Sequence, residues 1–156
     1  MSAASSTTPP VHWAVVVVGG DQLSERATAA VPVGARVIAA DGGLDHAVAA
    51  GIEPTHLVGD LDSITAAGRM WAYAHGLEVD EHPTAKDLTD TELALVRACR
   101  VDDSPVDGLL VVGGVGDRLD HLLGVLLALG GDVASSPGSV RAVIGDTEFV
   151  VVRPHH

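Results

Sequence analysis

The sequence has a single cysteine, Cys99, so no intramolecular disulfide and no cysteine-built zinc site can form. Basic residues are scarce: 9 Lys and Arg stand against 21 Asp and Glu, a formal net charge of -12. With no basic stripe to displace counterions, a nucleic-acid backbone is excluded as the main partner. Aromatic residues make up only 3% of the chain, so packing must rest on small aliphatic side chains. No apolar run approaches the ~20 residues that cross a bilayer, and no membrane partner is expected. Several nucleotide and hydrolase signatures are missing as well. There is no Gly-x-x-x-x-Gly-Lys-Ser/Thr loop, Gly113-Gly114-Val115-Gly116 lacks dinucleotide-fingerprint spacing, and neither His-Glu-x-x-His nor Gly-x-Ser-x-Gly occurs. Residues 1–10 lack a basic start and read as a disordered tail rather than a signal peptide, which makes the cytoplasm the expected location. His155 and His156 end the chain and are set aside from site reasoning.

The 156 residues suit a single domain, with a core large enough to bury roughly two-thirds of the unfolded surface. Trp13–Val18, Arg36–Ala40, His56–Val58 and Leu109–Val112 are apolar runs that read as buried strands. Glu78–His82 reads as an edge strand, and Val140–Ile144 and Glu148–Val152 as a closing hairpin around Gly145-Asp146-Thr147. Between them lie helical stretches at 24–30, 44–50, 65–75, 89–100 and 118–129, the last apolar on several sides and so expected to be largely buried. Thr89 and Glu92 form a capping box, and 101–105 reads as a polar loop. Strands alternating with helices predict an α/β fold, a Rossmann-like three-layer sandwich with a mostly parallel sheet.

What the chain does have is four Asp-bearing turns: Asp41-Gly42-Gly43, Gly59-Asp60-Leu61-Asp62-Ser63, Lys86-Asp87-Leu88-Thr89-Asp90 and Arg118-Leu119-Asp120-His121. Three closely follow predicted strands, whose C-terminal ends share one edge if the strands are parallel. Clustered carboxylates repel one another, and a hard cation such as Mg²⁺ is the commonest reason for them to meet, with phosphate chemistry its commonest use. Each turn also has a plainer reading. Asp60 and Asp62 suit a solvated turn, and Asp87 and Asp90 suit a helix start, where the macrodipole favours acids and Asp87 could cap. Arg118 and Asp120 could be a local ion pair beside a packed His121, or an anion site at a helix N-terminus. Lys86, the only lysine, could contact phosphate or simply sit on an acidic loop.

Taken in order, the four motifs resemble the catalytic domain of thiamine pyrophosphokinase, over about residues 36 to 130. That family shows Asp-Gly-Gly, Gly-Asp-x-Asp-Ser, Asp-x-Thr-Asp and Gly-x-Arg-x-Asp-His, matched here by Asp41 to Gly43, Gly59 to Ser63, Asp87 to Asp90, and Gly116 with Arg118, Asp120 and His121. The resemblance implies Mg²⁺-dependent transfer of diphosphate from ATP to the hydroxyl of thiamine, releasing AMP, usually by a homodimer. It implies Asp60, Asp62 and Asp90 as metal ligands, with Asp41 and Asp87 close by. Lys86 and Arg118 would touch the polyphosphate, while Gly42, Ser63, Thr89, Asp120 and His121 would complete the pocket. Asp62, Asp90 and Arg118 would carry the chemistry, and the general base is left open among the aspartates. A pterin alcohol as acceptor, or a nucleotide-binding module without catalysis, are the alternatives. The family adds a β-sandwich domain that supplies much of the thiamine pocket. The expected division is therefore a tail at 1–10, an α/β catalytic domain at 11–135, and strands at 136–156 leading toward a domain beyond His156. The sparse aromatics leave little to stack on a thiazolium or pyrimidine ring.

Overall fold

A computed structural model of the chain describes residues 12–100 and 106–154. The expectations for the tail at 1–10, the loop at 101–105 and the final two histidines fall outside the described residues. The elements run β1 (Trp13–Val17), α1 (Glu25–Ala29), β2 (Arg36–Ala40), α2 (Gly43–Ala49), β3 (His56–Gly59), α3 (Ala66–Ala74) and β4 (Glu78–Glu81), then α4 (Asp90–Cys99), β5 (Gly108–Gly113), α5 (Leu119–Gly130), a 3₁₀ turn (Asp132–Ala134), β6 (Ser139–Ile144) and β7 (Thr147–Val150). They build one seven-stranded sheet in the order β4-β3-β2-β1-β5-β6-β7. Every neighbouring pair is parallel except β6 with β7. The mostly parallel α/β sheet is thus present, and residues 139–150 pair into it as β6 and β7.

Alternation along the strands sorts the side chains into two cores. Val16, Val18, Ile38, Ala40, Leu109 and Val111 point to the face covered by α4 and α5. Val15, Val17, Val37, Leu110 and Val112 point to the opposite face, with Ala27 of α1 and Ala47 of α2. Ala39 and Leu57 extend that second face beneath Leu44 and Ala72. Because β1, β2 and β5 are covered on both sides, they read in sequence as unbroken apolar runs rather than alternating ones. The chain leaves edge strand β4, crosses the sheet through α4 and returns as β5 beside β1. Strand order therefore reverses at β1, and the crevice beyond the strand C-termini opens there.

Helix α5 departs from expectation. Only Val125, Ala128 and Leu129 are buried, whereas Leu119, Leu123 and Leu127 are exposed. The helix is apolar around its circumference, but the sheet covers one side alone. Its C-terminal end is tied down by Arg153, whose guanidinium donates to the carbonyls of Leu129 and Gly131 at 2.9 and 3.3 Å. Among the described residues, no helix is long and apolar enough to cross a membrane.

Candidate active site

The loops after β1, β2, β3 and β5 meet in an open cleft of about 1000 Å³ at the C-terminal rim of the sheet. Its walls include Gly19, Gly20, Asp21, Asp41, Gly42, Asp62, Ser63, Asp90, Arg118 and His121. Glycine is required where α2 begins. A Cβ on Gly43 would lie 2.1 Å from the Val17 carbonyl oxygen, so only glycine lets the first turn of α2 rest against the end of β1. That close approach swings Asp41 to the rim, in a left-handed conformation with φ 44° that Asp tolerates better than most residues. Its amide still donates to the Val58 carbonyl at 2.9 Å, so the turn is anchored to β3.

Asp41, Asp60 and Asp90 each offer a carboxylate oxygen, and these oxygens lie within 4.8 Å of one another. They come from three separate turns, one after β2, one after β3 and one at the start of α4. Gly59, with φ 147°, allows the convergence, since a Cβ there would sit 3.1 Å from both the Asp41 Cβ and the Asp90 Cγ. Asp41 is 9% exposed, and its Oδ1 is buried without a hydrogen-bond partner among the described residues. Burial pushes its carboxyl above the ordinary range. Asp90, Asp60 and Asp62 push the same way, and hydrogen bonding by Ser63 opposes them. Asp60 is held low instead: burial raises it, but hydrogen bonds from Asp62 and Thr84 and the Lys86 ammonium outweigh that. Lys86 joins the cluster directly, 2.8 Å from Asp90 Oδ1 and 3.6 Å from Asp60 Oδ2.

The other expected site residues are placed as follows. Asp62 lines the cleft but is not one of the three converging acids. Leu61 takes a left-handed turn with φ 63° and buries its side chain, and Arg69 clamps that turn by donating to the Leu61 carbonyl. Asp62 is left at the surface, accepting a 3.0 Å hydrogen bond from the Ser63 hydroxyl. Asp87 is exposed and does not cap α4. Thr89 is the N-cap, its hydroxyl accepting from the Glu92 amide at 3.2 Å while Glu92 reaches back to the Thr89 amide at 2.8 Å. The cap aims the first residue of α4, Asp90, at the other two acids. Arg118 and Asp120 form a two-pronged exposed ion pair at 2.6 and 3.3 Å. The pair lowers the Asp120 carboxyl and raises the Arg118 guanidinium. His121 stands exposed at the cleft wall rather than packed.

Sequence reasoning did not single out Asp45, His46, Thr65 or Thr91, which also line the cleft. Asp45 accepts from the Thr65 amide at 2.9 Å and the Thr65 hydroxyl at 2.5 Å, clasping α2 to the start of α3. His46 meets the Gly20 carbonyl at 3.2 Å. Asp45 and His46 sat within an Ala-rich helical stretch that carried no motif, and Thr91 lay one residue past one. Gly19, Gly20 and Asp21, in the loop after β1, also form part of the wall.

An acidic trio with a buried, unpartnered oxygen suits a hard divalent cation, which takes carboxylate oxygens as ligands. The residue set fits such an ion, and the glycine turns and the start of α5 beside it offer backbone donors to an anion.

Comparison with known proteins bears on what that anion is. The sequence model described as "Thiamin pyrophosphokinase, catalytic domain" matches residues 34–133. The chain is similar to the solved thiamine pyrophosphokinase of Bacillus subtilis, with 32% identity and a TM-score of 0.67 over 84% of this chain and 60% of that one. The thiamin pyrophosphokinase of Geobacillus thermodenitrificans is 28% identical, with a TM-score of 0.65 over 84% of this chain and 59% of that one. The Candida albicans enzyme, at 14% identity and a TM-score of 0.67 over 86% of this chain and 58% of that one, shows the same fold. This chain therefore spans about 60% of the length of these relatives. No curated protein matches.

Proposed function

This chain belongs to the thiamin pyrophosphokinase catalytic-domain family, and from that premise we propose that it carries the nucleotide half of an ATP:thiamine diphosphotransferase site. The observation that carries the reading is the convergence of Asp41, Asp60 and Asp90, with Asp41 Oδ1 buried and without a hydrogen-bond partner among the described residues. These three would hold Mg²⁺, with Asp62 and Asp87 at the surface near them rather than in the inner set. When bound, the ion would supply charge neutralisation for the polyphosphate and help orient it for in-line attack.

The rest falls to the chain's own groups. The Gly42 turn and the wall formed by Gly19 to Asp21 leave room for the nucleotide. Arg118 and His121, exposed at the start of α5, reach toward the polyphosphate, and Asp120 holds the Arg118 guanidinium in place until phosphate competes for it. In the reaction the acceptor hydroxyl oxygen bonds to the β-phosphorus. The bond from that phosphorus to the α–β bridging oxygen breaks, AMP leaves with the electron pair, and the hydroxyl proton passes to a base. A net charge of -12 makes uncompensated polyphosphate binding unfavourable, which is why the cation and the few basic groups must act together. The acceptor pocket in this reading is completed by a further domain and a second copy of the protein, and the protein works in the cytoplasm.

The test is AMP release from ATP with thiamine and with a pterin alcohol, run on the protein with the further domain that completes the acceptor pocket. Thiamine- and Mg²⁺-dependent release that disappears in Asp90→Asn supports the proposal. Release with the pterin and none with thiamine would move the acceptor, and ATP binding without turnover by either would favour a nucleotide-binding module.

A further inference from the structure

Lys86 does not extend into the open cleft. Its side chain is 15% exposed, and its ammonium meets Asp90 Oδ1 at 2.8 Å, the Pro83 carbonyl at 3.0 Å and Asp60 Oδ2 at 3.6 Å. The Pro83 contact is a hydrogen bond, and the two carboxylate contacts are ion pairs. Two of the three converging carboxylates are therefore already ion-paired with one positive charge, whereas Asp41 Oδ1 has neither an ion pair nor a hydrogen bond among the described residues; Asp90 Oδ1 has the ion pair but no hydrogen bond. A bridging ammonium and a bridging divalent ion draw on the same oxygens and repel each other, so the carboxylates cannot serve both at full strength. Lys86 lies on the segment between β4 and α4, four residues before Asp90. Rotation about its own four-carbon stem is enough to withdraw the ammonium without moving the helix.

Resting on the reading that Asp41, Asp60 and Asp90 hold a divalent cation, we propose that Lys86 is a built-in competitor for that cation. The ammonium neutralises Asp60 and Asp90 in the metal-free chain, leaves them when the ion arrives, and is then free to meet the polyphosphate. Two consequences follow. The metal-free chain binds a divalent ion more weakly than its carboxylates alone would allow. Nucleotide strengthens ion binding, because phosphate gives the displaced ammonium a new partner, and by linkage the ion strengthens nucleotide binding equally.

The experiment uses Mn²⁺ as the probe, with no nucleotide present, and reads bound ion by electron paramagnetic resonance on wild type, Lys86→Met, Lys86→Arg, Asp90→Asn and Arg26→Met. Lys86→Met should bind Mn²⁺ about tenfold more tightly than wild type at low ionic strength. Lys86→Arg and the remote charge control Arg26→Met should stay close to wild type, and Asp90→Asn should lose binding. Mn²⁺ should also raise the unfolding midpoint of Lys86→Met by more than that of wild type, and Lys86→Gln serves the same reading if the Met variant fails to fold. Equal or weaker binding by Lys86→Met, with loss in Asp90→Asn, overturns the role of Lys86 and leaves the cation site standing. Failure of both wild type and Lys86→Met to bind millimolar Mn²⁺ overturns the site and the competitor role together.

Discussion

Neutralising Asp41 should make the metal-free chain more stable and deaf to Mg²⁺. Asp41→Asn keeps the size of the side chain, and Asn tolerates the left-handed φ of 44° as well as Asp does, so the backbone should not resist the change. What changes is charge. Asp41 faces Asp60 and Asp90 with carboxylate oxygens within 4.8 Å. At an effective dielectric of about 20, each such pair repels by about 3 kcal/mol. The Lys86 ammonium and water at the cleft mouth reduce that figure, and the amide still pays some burial cost, so we expect a net gain of about 2 kcal/mol. For a chain of this size that is a rise in Tm of roughly 5 °C. Thermal unfolding in EDTA and in excess Mg²⁺ measures both halves of the claim. Wild type should be stabilised by Mg²⁺, whereas Asp41→Asn should start higher and gain little. A variant less stable in EDTA, or one stabilised by Mg²⁺ as much as wild type, would refute the reasoning that Asp41 is an uncompensated charge kept for an ion.

Other perturbations separate the scaffold from the site. Gly43→Ala places a Cβ 2.1 Å from the Val17 carbonyl oxygen, and should cost at least about 2 kcal/mol in denaturant unfolding while blunting the Mg²⁺ response. Thr89→Ala removes half of a capping box, and should lower stability by about 1 kcal/mol through α4 rather than through a lost ligand contact. Divalent-ion affinity, titrated by calorimetry from neutral pH downward, should begin to fall above the usual aspartate range. The Asp41 carboxyl is raised, so protons compete for it earlier than for an ordinary acid. The same shift gives the metal-free chain a stability component of the opposite sense. The folded state takes up the Asp41 proton more readily than the unfolded one, so this group's contribution improves as pH falls through its folded value toward ~3.9. Asp41→Asn should abolish that component.

Much of the scaffold was legible because its physics is local. β1, β2 and β5 announced themselves as apolar runs since both faces of the sheet are covered, and Thr89 with Glu92 marked the start of α4 from four letters of sequence. The order in which the strands lie side by side was not written in any one segment, because it depends on the crossover of α4. The exposure of α5 was misjudged for a similar reason. Leu119, Leu123 and Leu127 look like core residues, but the helix turns one side to the core, and that side carries Val125, Ala128 and Leu129. At the site, the convergence of acids from distant turns was foreseeable from their positions after strands. Which acids converge was not. Asp41 rather than Asp62 lies in the close trio, and Asp62 follows the left-handed Leu61, whose carbonyl Arg69 of the next helix holds. Asp45 and Thr65 could not have been found in the same way, because their clasp exists only once α2 and α3 pack together.

The most direct measurement is a crystal structure of this chain with Mn²⁺ and a non-hydrolysable ATP analogue, read from the anomalous signal of the metal. The account predicts one peak at ligating distance, about 2 Å, from carboxylate oxygens of Asp41, Asp60 and Asp90, with the Lys86 ammonium moved off Asp60 and Asp90 toward phosphate. A nucleotide bound in the cleft with the metal held elsewhere, or with no metal between those three side chains, would contradict it.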